Sequence, residues 1–183
     1  MKIERCVKES FAVIGKEGST LDGNHFIQKL WDNVDAHFNE VSDLAIKDIN
    51  GNIAGRWGLT SDFNHNLKPW EENYTRGLYL AGVECNLDVD APNGWTKWIV
   101  PKYEYIFVEL ENKDTFMKTI FYLEENNLTL VGGTNKYYSP VTNKEYLFFP
   151  IKKIDWSIFF NAFYFLKNYY FFLILYLLTF YIF

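Results

Sequence analysis

The chain has 183 residues, enough for one domain with a real core or for two half-size units that share one. A formal charge of −5, with no dense Lys/Arg run, lacks the basic footprint that nucleic acid demands. The two cysteines, Cys6 and Cys85, have no metal-ligand spacing and the N-terminus has no signal-peptide core, so a cytoplasmic protein without metal or cofactor is expected.

Glu9–Gly15 reads as a first strand, with Phe11 and Val13 on one face. Asp22 or Asn24 can cap a helix beginning near His25, in which Phe26, Ile27, Leu30, Trp31, Val34 and Phe38 recur at one-face spacing. Ala54–Ser61 is a short strand carrying Trp57. Asp62–Arg76, which holds Pro69, Trp70 and several Asn, is a fifteen-residue loop of the kind that acts as a lid. Leu78–Asn86 follows as a strand, with Tyr79, Ala81, Val83 and Cys85 on one face and Leu78, Leu80, Gly82 and Glu84 on the other. A carboxylate in line with two leucines belongs in a cleft or at a strand end, and Gly82 leaves room beside it.

The pattern then restarts. Gly94–Val100 and Tyr103–Leu110 are β-like, with Pro101 between them. Asp114 can cap a helix with Phe116, Ile120 and Leu123 on one face, which the Asn126-Asn127 pair ends. Leu128–Gly132, a turn at Ser139–Asn143 and Glu145–Ile151 give a closing hairpin. Both halves thus read strand, helix, strand, strand, as an internal duplication about a pseudo-two-fold axis would. The expected fold is α+β: one antiparallel sheet built from duplicated βαββ units, two helices on one face and a ligand cleft on the other.

The run Phe11-Ala-Val-Ile-Gly15, the helix ending Lys29-Leu-Trp31, Tyr79-Leu-Ala-Gly-Val-Glu84, Ile99-Val-Pro101 and Tyr103-Glu-Tyr-Ile-Phe107 resemble the GyrI-like small-molecule-binding domain. This is the effector-binding domain of AraC- and MerR-type regulators, also found alone, and the resemblance covers residues 3–153. It implies a duplicated βαββ (SHS2-type) architecture with a cleft that binds hydrophobic, often cationic drugs or metabolites. Some stand-alone members inhibit DNA gyrase and a few are hydrolases. An acid ringed by aromatic groups meets the ligand in that family, and Glu84 matches the acidic position of its Gly-Val-Glu motif. The second acidic motif of many members, Phe-Glu-x-Tyr, reads Asn135-Lys-Tyr-Tyr here, which weakens the case for a cation.

With Glu84, the candidate ligand-binding residues are Trp57, Trp70, Tyr79, Trp95, Trp98, Tyr105 and Tyr138, set against the alternative that most such rings pack the core. Glu104 or Glu109 could supply a second acid. His25, His37 and His65 form no metal-ligand pair, and no catalytic triad, phosphate loop or helix-turn-helix is present, so no catalytic residue is assigned. The reading is a stand-alone sensor or sequestering module for a hydrophobic ligand. The alternative is a gyrase-inhibitor-like interaction protein, and a hydrolase comes third. Its partners would be that ligand and either DNA gyrase or a separate regulator chain.

Residues 1–154 form the expected domain, and 155–183 stand apart, holding 14 of the 36 aromatic residues with only Asp155 and Lys167 charged. The apolar run Tyr169–Phe183 spans about 22 Å as a helix, short of the ~30 Å hydrocarbon core. This tail is read as a read-through or frameshift extension, with a membrane-associated segment as the next alternative and a domain-packing helix as the last.

Overall fold

The computed structural model describes residues 1–154; the tail expectations concern 155–183 and lie outside the described residues. Met1–Lys153 is one compact unit. Its strands are β1 (Ile3–Lys8), β2 (Phe11–Ser19), β3 (Arg56–Ser61), β4 (Leu78–Cys85), β5 (Thr96–Val100), β6 (Tyr103–Glu109), β7 (Asn135–Ser139) and β8 (Lys144–Lys153). Helices α1 (Phe26–Ala36) and α3 (Thr115–Glu125) are full helices, whereas α2 (Glu71–Tyr74) is a single turn in which Glu72 and Asn73 are left-handed.

All strand pairs are antiparallel, in the order β1-β6-β8-β7-β3-β4-β2-β5. The six inner strands are symmetric about the β7–β3 pair: β3-β4-β2 on one side repeats as β7-β8-β6 on the other, as the duplication predicts. The two outermost strands carry the symmetry further. β1 leads into β2 of the first half yet pairs with β6 of the second, and β5 leads into β6 yet pairs with β2. Lys8 faces Tyr103 and Phe11 faces Val100, so one register continues through the two-residue kinks at 9–10 and 101–102. The kinked ribbon ties the two ends of the sheet together, and the sheet curls around the face opposite the helices.

That inner face is a core. Phe11, Val13, Trp57, Leu59, Leu80, Trp98, Val100 and Tyr105 are buried on it, with Phe63 and Leu67 of the 62–70 loop packed against them. The other face splits into two clusters: Ile14, Tyr79, Ala81 and Val83 under α1, and Ile106, Val108, Leu147 and Phe149 under α3. The β4 alternation therefore holds: Tyr79, Ala81, Val83 and Cys85 meet α1, and Leu78 and Leu80 meet the inner core.

Local differences from the sequence expectations have physical causes. No side chain caps α1: its N-cap is His25 at φ 63°, and Asp22 Oδ2 accepts instead from the Ser19 N–H at 2.6 Å. Asp114 occupies the N-cap of α3 without a side-chain bond. β1 is an unexpected strand, its apolar pattern broken by charges as on many sheet edges. The closing hairpin uses Asn135–Ser139, not Leu128–Gly132. Gly133 lies so close to Thr60 that a Cβ there would come within 2.0 Å of the Thr60 carbonyl oxygen, and pairing of β7 to β3 begins only beyond it.

Candidate functional site

An apolar cavity lies on the helix-bearing face, where β3 and β7 meet along the pseudo-two-fold axis. It has a volume of about 420 Å³, within the range of small-molecule sites, with Ile27 and Trp31 of α1 on one wall and Phe116 of α3 on the other. The sheet supplies the floor through Thr60, Tyr79, Lys136 and Leu147, and the loop closes one end with Pro69, Trp70 and Tyr74. A second cavity of about 300 Å³ shares Gln28, Trp31 and Lys136 with the first, so the two form one groove. Its far end is polar, with Asp35, Arg56, Tyr138 and Glu145.

Gly58 makes the floor possible. It pairs with Ala81 and Lys136 in the middle of the sheet, and a Cβ on it would stand 1.8 Å from Tyr79 Oη. The phenol lies in that space, and the Trp31 indole N–H donates to its oxygen at 3.4 Å. Burial pushes the Tyr79 hydroxyl up to about 12 against the smaller opposing effect of that hydrogen bond, so it stays protonated and able to donate. The Trp70 indole N–H donates to the Leu78 carbonyl at 2.7 Å, which fixes the ring at the groove end, and Phe116 packs edge-on against Tyr74 at 5.3 Å. At the polar end, Arg56 lies 4.8 Å over the Trp31 ring and pairs with Asp35, while Lys136 Nζ meets Glu145 at 2.7 Å.

Of the eight sequence-stated candidates, the structure brings Trp70, Tyr79 and Tyr138 to this groove. Trp57, Trp98 and Tyr105 lie in the inner core, at 2%, 5% and 1% exposure. Trp57 contacts Phe11, Tyr137 and Phe148 at ring distances of 4.8, 4.7 and 5.4 Å. Opposite the helices these rings form core, because the kinked ribbon closes the sheet over them; one open groove lies between the helices, and a separate cavity of about 440 Å³ lies beyond the end of β4, lined by Ser10, Phe11, Glu84 and Cys85. Trp95 packs under α1, where its indole N–H donates to Glu40 at 2.7 Å and holds that carboxyl below its usual range.

Glu84 also points to the inner side. Its Oε2 accepts from the Trp57 indole at 2.8 Å and its Oε1 pairs with Lys8 Nζ at 2.9 Å. The same ammonium stands 4.4 Å from the Phe11 ring centroid and 5.3 Å from that of Trp57. An acid flanked by aromatic rings is therefore present as expected, but the cation it holds is the chain's own lysine. Glu104 and Glu109 pair with Arg5 and Lys144 at 3.6 and 2.8 Å, away from Glu84. Among the described residues no group of three His, Cys, Asp or Glu side chains could hold a metal, and no helix is long and apolar enough to cross a membrane.

Glu84→Gln is accordingly expected to lower stability by about 1–3 kcal/mol, since it leaves a largely buried ammonium without its charge partner. Urea unfolding measures this, and ligand affinity in the groove should be unchanged. A variant as stable as the parent but unable to bind would restore Glu84 as the anchor.

Sequence reasoning missed Trp31, Phe116 and Lys136 as groove residues. The 3.6-residue periodicity did mark Trp31 and Phe116 as inward-facing, but an inward ring reads equally as core or as wall until the neighbouring helix is located.

Comparison with solved structures bears on the fold. SAV2435 bound to tetraphenylphosphonium superposes with a TM-score of 0.58 at 15% identity, over 83% of this chain and 94% of that one. The EcmrR C-terminal domain gives 0.58 at 12% identity, over 84% and 98%. An integron cassette protein from Vibrio cholerae gives 0.52 at 13%, over 82% and 95%. The fold is that of the GyrI-like domains. At this level of identity the likeness is one of fold alone, and neither a family model nor a curated protein matches the sequence.

Proposed function

We propose that the chain is a small-molecule-binding protein whose site is the groove between α1 and α3, and that it acts as a sensor or sequestering module. The observation that carries this reading is the groove itself: about 420 Å³, walled by Trp31, Trp70, Tyr74 and Phe116, with a few polar groups converging at one end. Flat rings on the two helices and on the loop between β3 and β4 suit planar apolar ligands, which gain affinity from area and stacking without a tailored set of hydrogen bonds. The SAV2435 structure, whose fold this chain shares, holds a bulky aromatic cation, which supports ligand binding in a fold of this kind. The described residues offer no nucleophile–base pair in the groove, so binding rather than turnover is the reading adopted.

Trp31 and Trp70 report on the groove directly. Titration of the full chain with planar apolar compounds is expected to quench tryptophan fluorescence saturably, and Trp31→Ala to weaken the affinity by about tenfold or more. A full panel without saturable quenching would overturn the proposal, as would affinities indifferent to Trp31 and Phe116 replacement.

A further inference from the structure

The charge arrangement in the groove selects among ligands. Its lining carries four charged groups, and they cancel in two pairs within the site: Arg56 with Asp35, and Lys136 with Glu145 at 2.7 Å. Lys136 stands at the join of the two cavities, on the central strand pair, where it meets whatever lies on the floor. A lipophilic cation entering the groove would lose water without gaining an unpaired carboxylate, and would approach the Lys136 ammonium. An anion would meet Glu145 and Asp35, with both cations already engaged. Either ion is desolvated without an unpaired countercharge in return, and for a cation only the faces of the rings offset part of that cost.

The groove does have hydrogen-bond donors to give. Tyr79 Oη accepts from Trp31, and among the described residues no acceptor takes its proton; the phenol is 4% exposed and lines the cavity. Lys136 has three N–H bonds, pairs with Glu145 and lines both cavities. A buried hydroxyl without an acceptor is an unmet demand that a ligand oxygen can satisfy.

Resting on the groove reading above, we propose that the ligand is an uncharged aromatic molecule carrying an acceptor oxygen, which Tyr79 Oη and Lys136 Nζ bind, and that lipophilic cations are disfavoured. The rings of Trp31, Trp70 and Phe116 take the aromatic body, and the two donors take the oxygen.

Three compounds of related shape separate charge from size: triphenylphosphine oxide, tetraphenylphosphonium and tetraphenylborate. Isothermal titration of the full chain is expected to show the oxide binding at least tenfold more tightly than either ion. Tyr79→Phe, which keeps the ring and removes the donor, should weaken the oxide on the order of three- to tenfold and leave the ions nearly unchanged. Lys136→Glu should raise the affinity for tetraphenylphosphonium by at least tenfold. Tetraphenylphosphonium bound by the parent as tightly as the oxide, and released by Trp31→Ala, would overturn the charge selection while leaving the groove as the site. Oxide affinity indifferent to Tyr79→Phe and Lys136→Glu would overturn the assignment of the donors. Failure of all three compounds to bind, while other planar apolar compounds quench tryptophan fluorescence saturably, would overturn the ligand class and leave the groove as the site.

Discussion

Trp57→Ala is expected to destabilise the domain by about 3–5 kcal/mol, the range for deleting a large buried ring. The indole is 2% exposed and contacts Phe11, Tyr137 and Phe148. It also donates to Glu84, so its removal leaves a carboxylate with one partner fewer on the inner side of the sheet. The loss would be at least about a fifth of the 5–15 kcal/mol stability of an ordinary domain, and most of it for a domain at the low end. Urea unfolding should show a lower midpoint with an unchanged slope, because the surface exposed on unfolding stays nearly the same. If Trp57 instead walled an open cleft, truncation would cost well under about 1 kcal/mol and would abolish ligand binding. That result would return the site to the inner face.

The second large effect concerns the domain boundary, which we propose lies after Ile154. β8 runs to Lys153 and sits between β6 and β7, so the chain must extend that far for the sheet to be continuous. A chain of residues 1–154 is expected to unfold in one cooperative transition, followed by far-UV and near-UV circular dichroism together. A chain ended after Asn143 should not fold. It would lose Leu147, Phe148 and Phe149 from both faces, on the order of 10 kcal/mol of packing against a typical total of 5–15. Non-coincident transitions for residues 1–154 would place part of the fold in the 155–183 segment.

These outcomes turn on a division between what local pattern carries and what it does not. Residue order alone determined most of the elements and their faces, though not β1 or the position of β7. In β4 the two-residue period separates Tyr79, Ala81 and Val83 from Leu78 and Leu80, and the fold obeys it because each face must bury its apolar members. The repeated strand–helix–strand–strand order foretold the duplicated sheet and the two helices on one side, and the motifs from Phe11 to Phe107 pointed to the fold that the solved structures share.

The location of the opening was a matter of tertiary structure. Periodicity assigns a side chain to a face but is silent on what covers that face. Here the kinks at 9–10 and 101–102 let each half of the chain pair with the edge of the other, and the sheet curls until Trp57, Trp98 and Tyr105 become core. The same curl brings Lys8, on one outermost strand, to Glu84, 76 positions later in the chain, and so satisfies an acid that looked available. On the opposite side the helices stand apart over β3 and β7, and Trp31 and Phe116, inward-facing in any reading, become walls because among the described residues no side chain fills the space between them. Lys136 belongs to the site only because β7 pairs with β3 at the pseudo-two-fold axis, a contact between residues almost eighty positions apart that no local spacing encodes.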